Sequence, residues 1–183
     1  MLKALLARQI DKMERRWGYD ASYMRRLLAV SPGGLLRFGL VSSMVDAKAA
    51  PAGAIAAAKL AGTLTEDCGP CTQIVTDMAS AEGVPPEVLR AILAGNEAAM
   101  GPEAALAWRF ARASLARDMA AADPLRDEIV GRWGDPGLVA VSMALTTARM
   151  YPTLKYALGY GKACSRVMVE GAAAPVAHNP LAA

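Results

Sequence analysis

The sequence predicts an all-α fold, a helical bundle of the close-packed kind, and three observations lead there. Of the 183 residues 54% are hydrophobic, yet only 5% are aromatic. Alanine, leucine, methionine and arginine, all strong helix formers, recur throughout, and β-branched runs are scarce. Apolar positions repeat at spacings of three and four, and no segment alternates with the period of a strand. The length suits one domain with a sizeable core. We divide it into an N-terminal helical arm over 1–50 packed on the main domain, a helical domain over 51–170, and a flexible tail over 171–183.

The arm opens with Leu2, Leu6, Ile10, Met13 and Trp17, one stripe of an amphipathic helix, with Arg8, Lys12, Arg15 and Arg16 towards solvent. Such a basic helix can lie on a membrane or grip a partner; the plainer reading is a helix packed on a surface or subunit. Gly18 ends it. A second helix is expected from about Asp20 to Val30, then a break at Ser31-Pro32-Gly33-Gly34 and a third helix from Leu35 to Val45. The alanine-rich stretch Pro51 to Leu60 predicts a fourth helix whose small side chains admit a close neighbour.

The fifth helix carries Cys68 and Cys71 and runs to about Glu82, where Gly83 and Pro85-Pro86 stop it. A short helix over Glu87 to Leu93 follows, then a long one from about Pro102 to Ala122, apolar on two sides. Asp123-Pro124 and Asp135-Pro136 each read as an N-cap with proline at the first helical position, giving a helix from Leu125 to Trp133 that closes at Gly134. Leu138, Val141, Leu145 and Ala148 make the next stripe. Pro152 is expected to start a final helix to about Val169, before a mobile tail from Gly171.

Charge and composition narrow the partners. A net charge of +3 with scattered arginines gives no ground for nucleic-acid binding. No stretch approaches the roughly 18–20 uninterrupted apolar residues of a membrane span. Met1 to Arg8 lacks the apolar core and cleavage site of a signal peptide, so no membrane partner is expected. Three cysteines, an odd number, argue against a disulfide framework and for a reducing, cytoplasmic setting.

The chemistry is concentrated at Cys68-Gly69-Pro70-Cys71. Residues three apart share one side of a helix, so a bond between the sulfurs is feasible. The same string occurs in thioredoxins after a β-strand; no strand precedes it here. At about 100° per residue, Cys71, Ile74, Val75 and Met78 share one face, with Gln73, Asp77 and Ser80 opposite. Cys71 is thus expected in apolar surroundings and Cys68 at the edge of that face. Pro70 is well tolerated only in a first helical turn, which sets both sulfurs near the positive end of the helix dipole. Thr63-Leu64-Thr65-Glu66 fits a capping box or an ordinary loop. Burial and the acids Glu66 and Asp67 raise a thiol pKa, whereas the helix N-terminus lowers it. The competing bland reading is a pair of small core residues. No cofactor or metal is expected: Cys164 and His178, the remaining ligand candidates, lie in a late helix and a loose tail.

Thr65 to Gln73 opening a helix, then Gly83-Val84-Pro85 and the helix to Gly95, resembles the alkylhydroperoxidase D-like (carboxymuconolactone decarboxylase) superfamily. The resemblance covers about Pro51 to Val169 and leaves the arm outside. It implies an all-helical bundle, commonly a symmetric homo-oligomer, and a thiol peroxidase cycle. In that cycle Cys71 attacks a small-molecule hydroperoxide, Cys68 condenses with the sulfenic acid, and an external dithiol electron donor reduces the disulfide. The family's relay glutamate and histidine fall at Ala56 and Val75, so both are missing. General acid–base help is worth about 10²–10⁴-fold. Glu66 is the nearest substitute, as a catalytic or a helix-capping acid; Asp67 and Lys59 are weaker ones. The expected function is a thiol-dependent oxidoreductase of peroxidase type. The alternatives are a non-catalytic member with a structural or redox-switch pair, or a decarboxylase-type activity on a small lactone acid.

Overall fold

A computed structural model describes residues 2–161 and 167–177. The arm folds as α1 (Leu2–Trp17), α2 (Ser22–Val30) and α3 (Pro32–Gly39), followed by a 3-10 turn at Leu40–Met44. The bundle comprises α4 (Ala52–Thr65), α5 (Gly69–Ala81), α6 (Pro86–Ala94), α7 (Pro102–Ala116) and α8 (Met119–Ala157). Two short antiparallel strands, β1 (Val167–Val169) and β2 (Ala172–Ala174), form a hairpin in the register Val167 to Ala174. The fold is all-α, as composition and periodicity predict.

Helix α4 is the axle, packed against α5, α6, α7 and α8. Ala54, Ala56, Ala57, Ala58 and Ala61 are all buried on it, so neighbouring backbones come close from several directions. Gly62 marks the tightest point: a Cβ there would sit 3.0 Å from the Leu145 carbonyl oxygen and 3.1 Å from Arg149 Cγ on α8. Leu60, Leu89, Leu93, Leu106, Trp108 and Ile129 fill the remaining space.

A second, smaller core belongs to the arm. Leu6 and Ile10 of α1, Tyr19, Ala21, Tyr23 and Leu35 pack together, and Ile74 of α5 and Leu154 of α8 lie against them. The arm thus covers the face of the bundle where α5 begins. Arg25 ties α2 to α1 by bridging Asp11 at 2.8 Å and Glu14. Both bridges are largely solvated, so the apolar contacts do most of the holding.

Several boundaries differ from the sequence reading. The break after Val30 is there, but it is Ser31 alone: the third helix starts at Pro32 instead of Leu35, with the Ser31 hydroxyl accepting from the Gly34 N–H at 3.2 Å and proline at the first position. Thr63 to Glu66 is no capping box, because the Thr63 and Thr65 hydroxyls bond back to Leu60 and Ala61 carbonyls at the end of α4. The long helix expected to Ala122 ends at Ala116, where Arg117 turns left-handed at φ 60°, and Asp118 caps α8 through the Ala121 N–H at 3.1 Å. Asp123-Pro124 therefore lies inside α8; the carbonyl that Pro124 cannot serve belongs to Ala120, an exposed residue in the first turn. Gly134, at φ 68° and ψ 178°, breaks α8 where the sequence places a closure.

The last helix does not start at Pro152 or reach Val169. Pro152 sits within α8, which stops at Ala157, and Val167–Val169 is a strand. Ala172–Ala174 pairs with it, where a loose tail and no strand were expected. Three-residue strands are too short to show a period of two. Cys164 and His178 lie outside the described residues.

Candidate active site

Cys68 occupies the N-cap of α5 and Cys71 its first turn, with Pro70 between them at the position where a missing N–H does no harm. The preceding turn is bent sharply. Asp67 adopts a left-handed conformation at φ 47°, which a short polar side chain tolerates better than most. Its carbonyl accepts from the Tyr156 hydroxyl at 2.8 Å, pinning the turn to the end of α8. Thr72 fastens the other side, its hydroxyl donating to the Cys68 carbonyl at 3.0 Å.

Both cysteines are free, and their Sγ atoms are 2.6 Å apart. A covalent bond needs only about half an ångström more of approach. Both are also sealed: Cys68 is 0% and Cys71 2% exposed. Cys68 is therefore buried, not at the edge of the apolar face. Of the face drawn from the sequence, Ile74 packs on the arm and Val75 on the main core, but Met78 is exposed. The opposite face has a structural partner: Gln73 donates to the Met168 carbonyl at 3.0 Å and accepts from its N–H at 2.7 Å, docking β1 on α5.

The cover over the sulfurs is chemical as well as apolar. Tyr19, just before α2, and Tyr23 within it are buried, their rings edge to face at 6.4 Å. Lys155 from α8 is 2% exposed, with Nζ 3.3 Å from the Tyr19 hydroxyl. The same ammonium lies 4.8 Å from the Tyr19 ring centre and 5.5 Å from that of Tyr23. The Tyr23 hydroxyl is buried and, among the described residues, has no hydrogen-bond partner of good geometry. Sequence reasoning missed all three residues. The arm and the end of α8 lie far from α5 along the chain, and neither carried a motif.

The two thiols titrate as one unit, sharing a proton. The Cys71 thiol donating to its sulfur draws Cys68 down to about 7, against the opposing effect of burial; the Cys71 N–H and the Lys155 ammonium help. Cys71 is pushed up, first by holding that proton for Cys68 and then by burial, with Lys155 and the Tyr19 hydroxyl opposing. Burial raises Tyr19, Tyr23 and Tyr151. The pair thus favours one shared negative charge at the mouth of the helix, drawn towards Cys68 at the N-cap.

Glu66 is engaged elsewhere. Its Oε1 accepts from Arg149 Nε at 2.7 Å and from a second guanidinium nitrogen at 2.5 Å, joining the end of α4 to α8. Ala56 is buried in α4, and neither it nor Val75 brings a polar atom to the sulfurs. Among the described residues no cluster of three or more His, Cys, Asp or Glu side chains could hold a metal. An open groove of about 350 Å³, lined by Glu97, Arg109, Arg112 and Leu125 among others, includes none of the residues around the sulfurs. No helix among the described residues is long and apolar enough to cross a membrane. No family model, curated protein or solved structure matches the chain.

Proposed function

We propose that the protein is a thiol-dependent oxidoreductase of peroxidase type in which Cys68 and Cys71 cycle between dithiol and disulfide. The observation that carries this reading is the contact of two free sulfurs at 2.6 Å at a helix N-terminus. The likeness to the alkylhydroperoxidase D-like superfamily over Pro51 to Val169 supplies the substrate class, a small hydroperoxide.

A thiolate sulfur attacks one peroxide oxygen, the O–O bond breaks, and the second oxygen leaves as alkoxide and takes up a proton. The resulting sulfenic acid is attacked by the other thiol, releasing water and forming the disulfide, which an external dithiol reduces by exchange. The family pattern gives the attack to Cys71. Its relay is replaced by Ala56 and Val75, and Cys68 stands at the N-cap of α5, where unpaired backbone N–H groups favour a thiolate. We assign attack to Cys68 and resolution to Cys71.

Purified protein given a hydroperoxide and a dithiol is expected to turn over, and Cys68→Ser and Cys71→Ser are each expected to stop. In a single exposure without reductant, Cys71→Ser should form a trappable sulfenic acid at Cys68. Turnover equal to the parent in either serine variant removes the peroxidase reading.

The burial of both sulfurs favours a second reading, a redox switch without turnover. Stoichiometric oxidation by peroxide with no catalytic cycle would select it. A reducing compartment such as the cytoplasm suits a free dithiol. Self-association is also proposed: Leu2, Leu5, Val30, Leu36 and Leu40 leave apolar surface exposed on the arm. A monomer in sedimentation at high concentration would dismiss it.

A further inference from the structure

The relay that the sequence lacks at Ala56 and Val75 has a replacement in space, built from the arm and the end of α8. Lys155 is a buried ammonium, and among the described residues no carboxylate stands within ion-pair distance of it. A buried cation without an anion is costly, so a site that keeps one generally supplies a negative partner. Tyr19 and Tyr23 face the ammonium from the arm, with Tyr151 beside Tyr23; Cys68 and Cys71 come from α5; Asp67 precedes them and acts on Cys68. Glu66 is taken by Arg149. The tyrosines are held in their neutral form by burial. Asp67 has an interaction of its own and forms no ion pair with Lys155. That leaves the cysteine pair to carry the charge beside the ammonium.

We propose, building on the dithiol reading above, that Lys155 is the counter-ion of the Cys68 thiolate and that the Tyr19 hydroxyl, 3.3 Å from Lys155 Nζ, passes the proton to the departing alkoxide. In the step itself a sulfur–oxygen bond forms, the O–O bond breaks, and the alkoxide takes the Tyr19 proton. Tyr19 regains it from Lys155, which solvent then resupplies. The hydroperoxide is the oxidant and the external dithiol the reductant. Tyr19 acts in this pair as the proton donor, fed by the Lys155 ammonium that donates to it, and Lys155 acts through charge and through Tyr19. The arm becomes part of the active site instead of an appendage.

The test reads the thiolate directly by its ultraviolet absorbance across pH, in the reduced full chain, and needs no peroxide turnover. Lys155→Met is expected to raise the midpoint above about 7. The thiolate fraction at neutral pH should fall about fivefold or more, since an opposite charge close by is typically worth at least one pKa unit. Lys155→Arg should keep the parent midpoint. Tyr19→Phe should leave it nearly in place while slowing the peroxide step about tenfold or more. An unchanged midpoint in Lys155→Met overturns the proposal. If that variant does not fold, the Lys155 ε-carbon resonance of the parent decides. Movement between dithiol and disulfide forms supports the pairing, and a resonance blind to redox state overturns it. A parent that titrates as described but never turns over peroxide would defeat the peroxidase reading alone.

Discussion

Replacing Cys68 with serine is the sharpest probe of the charge distribution at the site, because it acts on stability as well as chemistry. Serine is nearly isosteric and is a favoured N-cap residue, so α5 should keep its start. In the folded reduced chain the Cys68 thiol ionises at about 7, against an ordinary value of 9.0. Between those values the unfolded chain holds a proton that the folded chain has released, so stability rises with pH across the interval. It is lost again as pH falls through about 7. At about 1.4 kcal/mol per pH unit, the ceiling is about 3 kcal/mol. Cys71 works the other way, because its folded pKa is raised: above its ordinary value of 9.0 the unfolded chain ionises first and stability declines. Urea unfolding of the reduced parent should therefore show a gain of about 1–3 kcal/mol from pH 7 to 9 and a maximum near the upper end. Cys68→Ser should be flat over the same range. A serine variant whose stability climbs as steeply as the parent's would mean that the thiolate is not on Cys68, and the reasoning about the site would fail with it.

Other consequences follow from the packing. Ile10→Ala empties part of the arm's small core and should cost about 2–4 kcal/mol of arm docking; alkylation of the cysteines, slow in the parent because both are buried, should speed up markedly. Gly62→Leu puts a side chain where even a Cβ meets Leu145 and Arg149, and should lower stability in urea by about 1–3 kcal/mol despite better helix propensity. Glu66→Gln breaks the bridge to Arg149, whose side chain is 43% exposed, so the loss should stay within about 1 kcal/mol. The thiolate midpoint should not move in that variant; a clear fall would show that the Glu66 charge acts on the sulfurs and return it to the acid–base machinery.

The helical class, most of the helices and the position of the cysteine pair were all readable from the chain. They rest on local rules: period, caps, and proline confined to a first turn. The errors share a cause. Asp123-Pro124 has the form of a helix start, but Asp118 caps the helix five residues earlier, and exposed backbone tolerates the proline. The hairpin after α8 is too short to carry a pattern and depends on Gln73, some 95 residues away, for its docking. Glu66 looked available because Cys68 follows it two residues on; its neighbour in space is an arginine.

What the chain alone determined is that two thiols stand one helical turn apart at the start of α5, since that follows from spacing and from Pro70. What only the tertiary structure decided is their surroundings. Tyr19, Tyr23 and Lys155 reach the sulfurs across 136 residues of separation between Tyr19 and Lys155, through packing of the arm on the bundle. Burial and charge act through space, and no local pattern records which distant side chains will share a low-dielectric pocket.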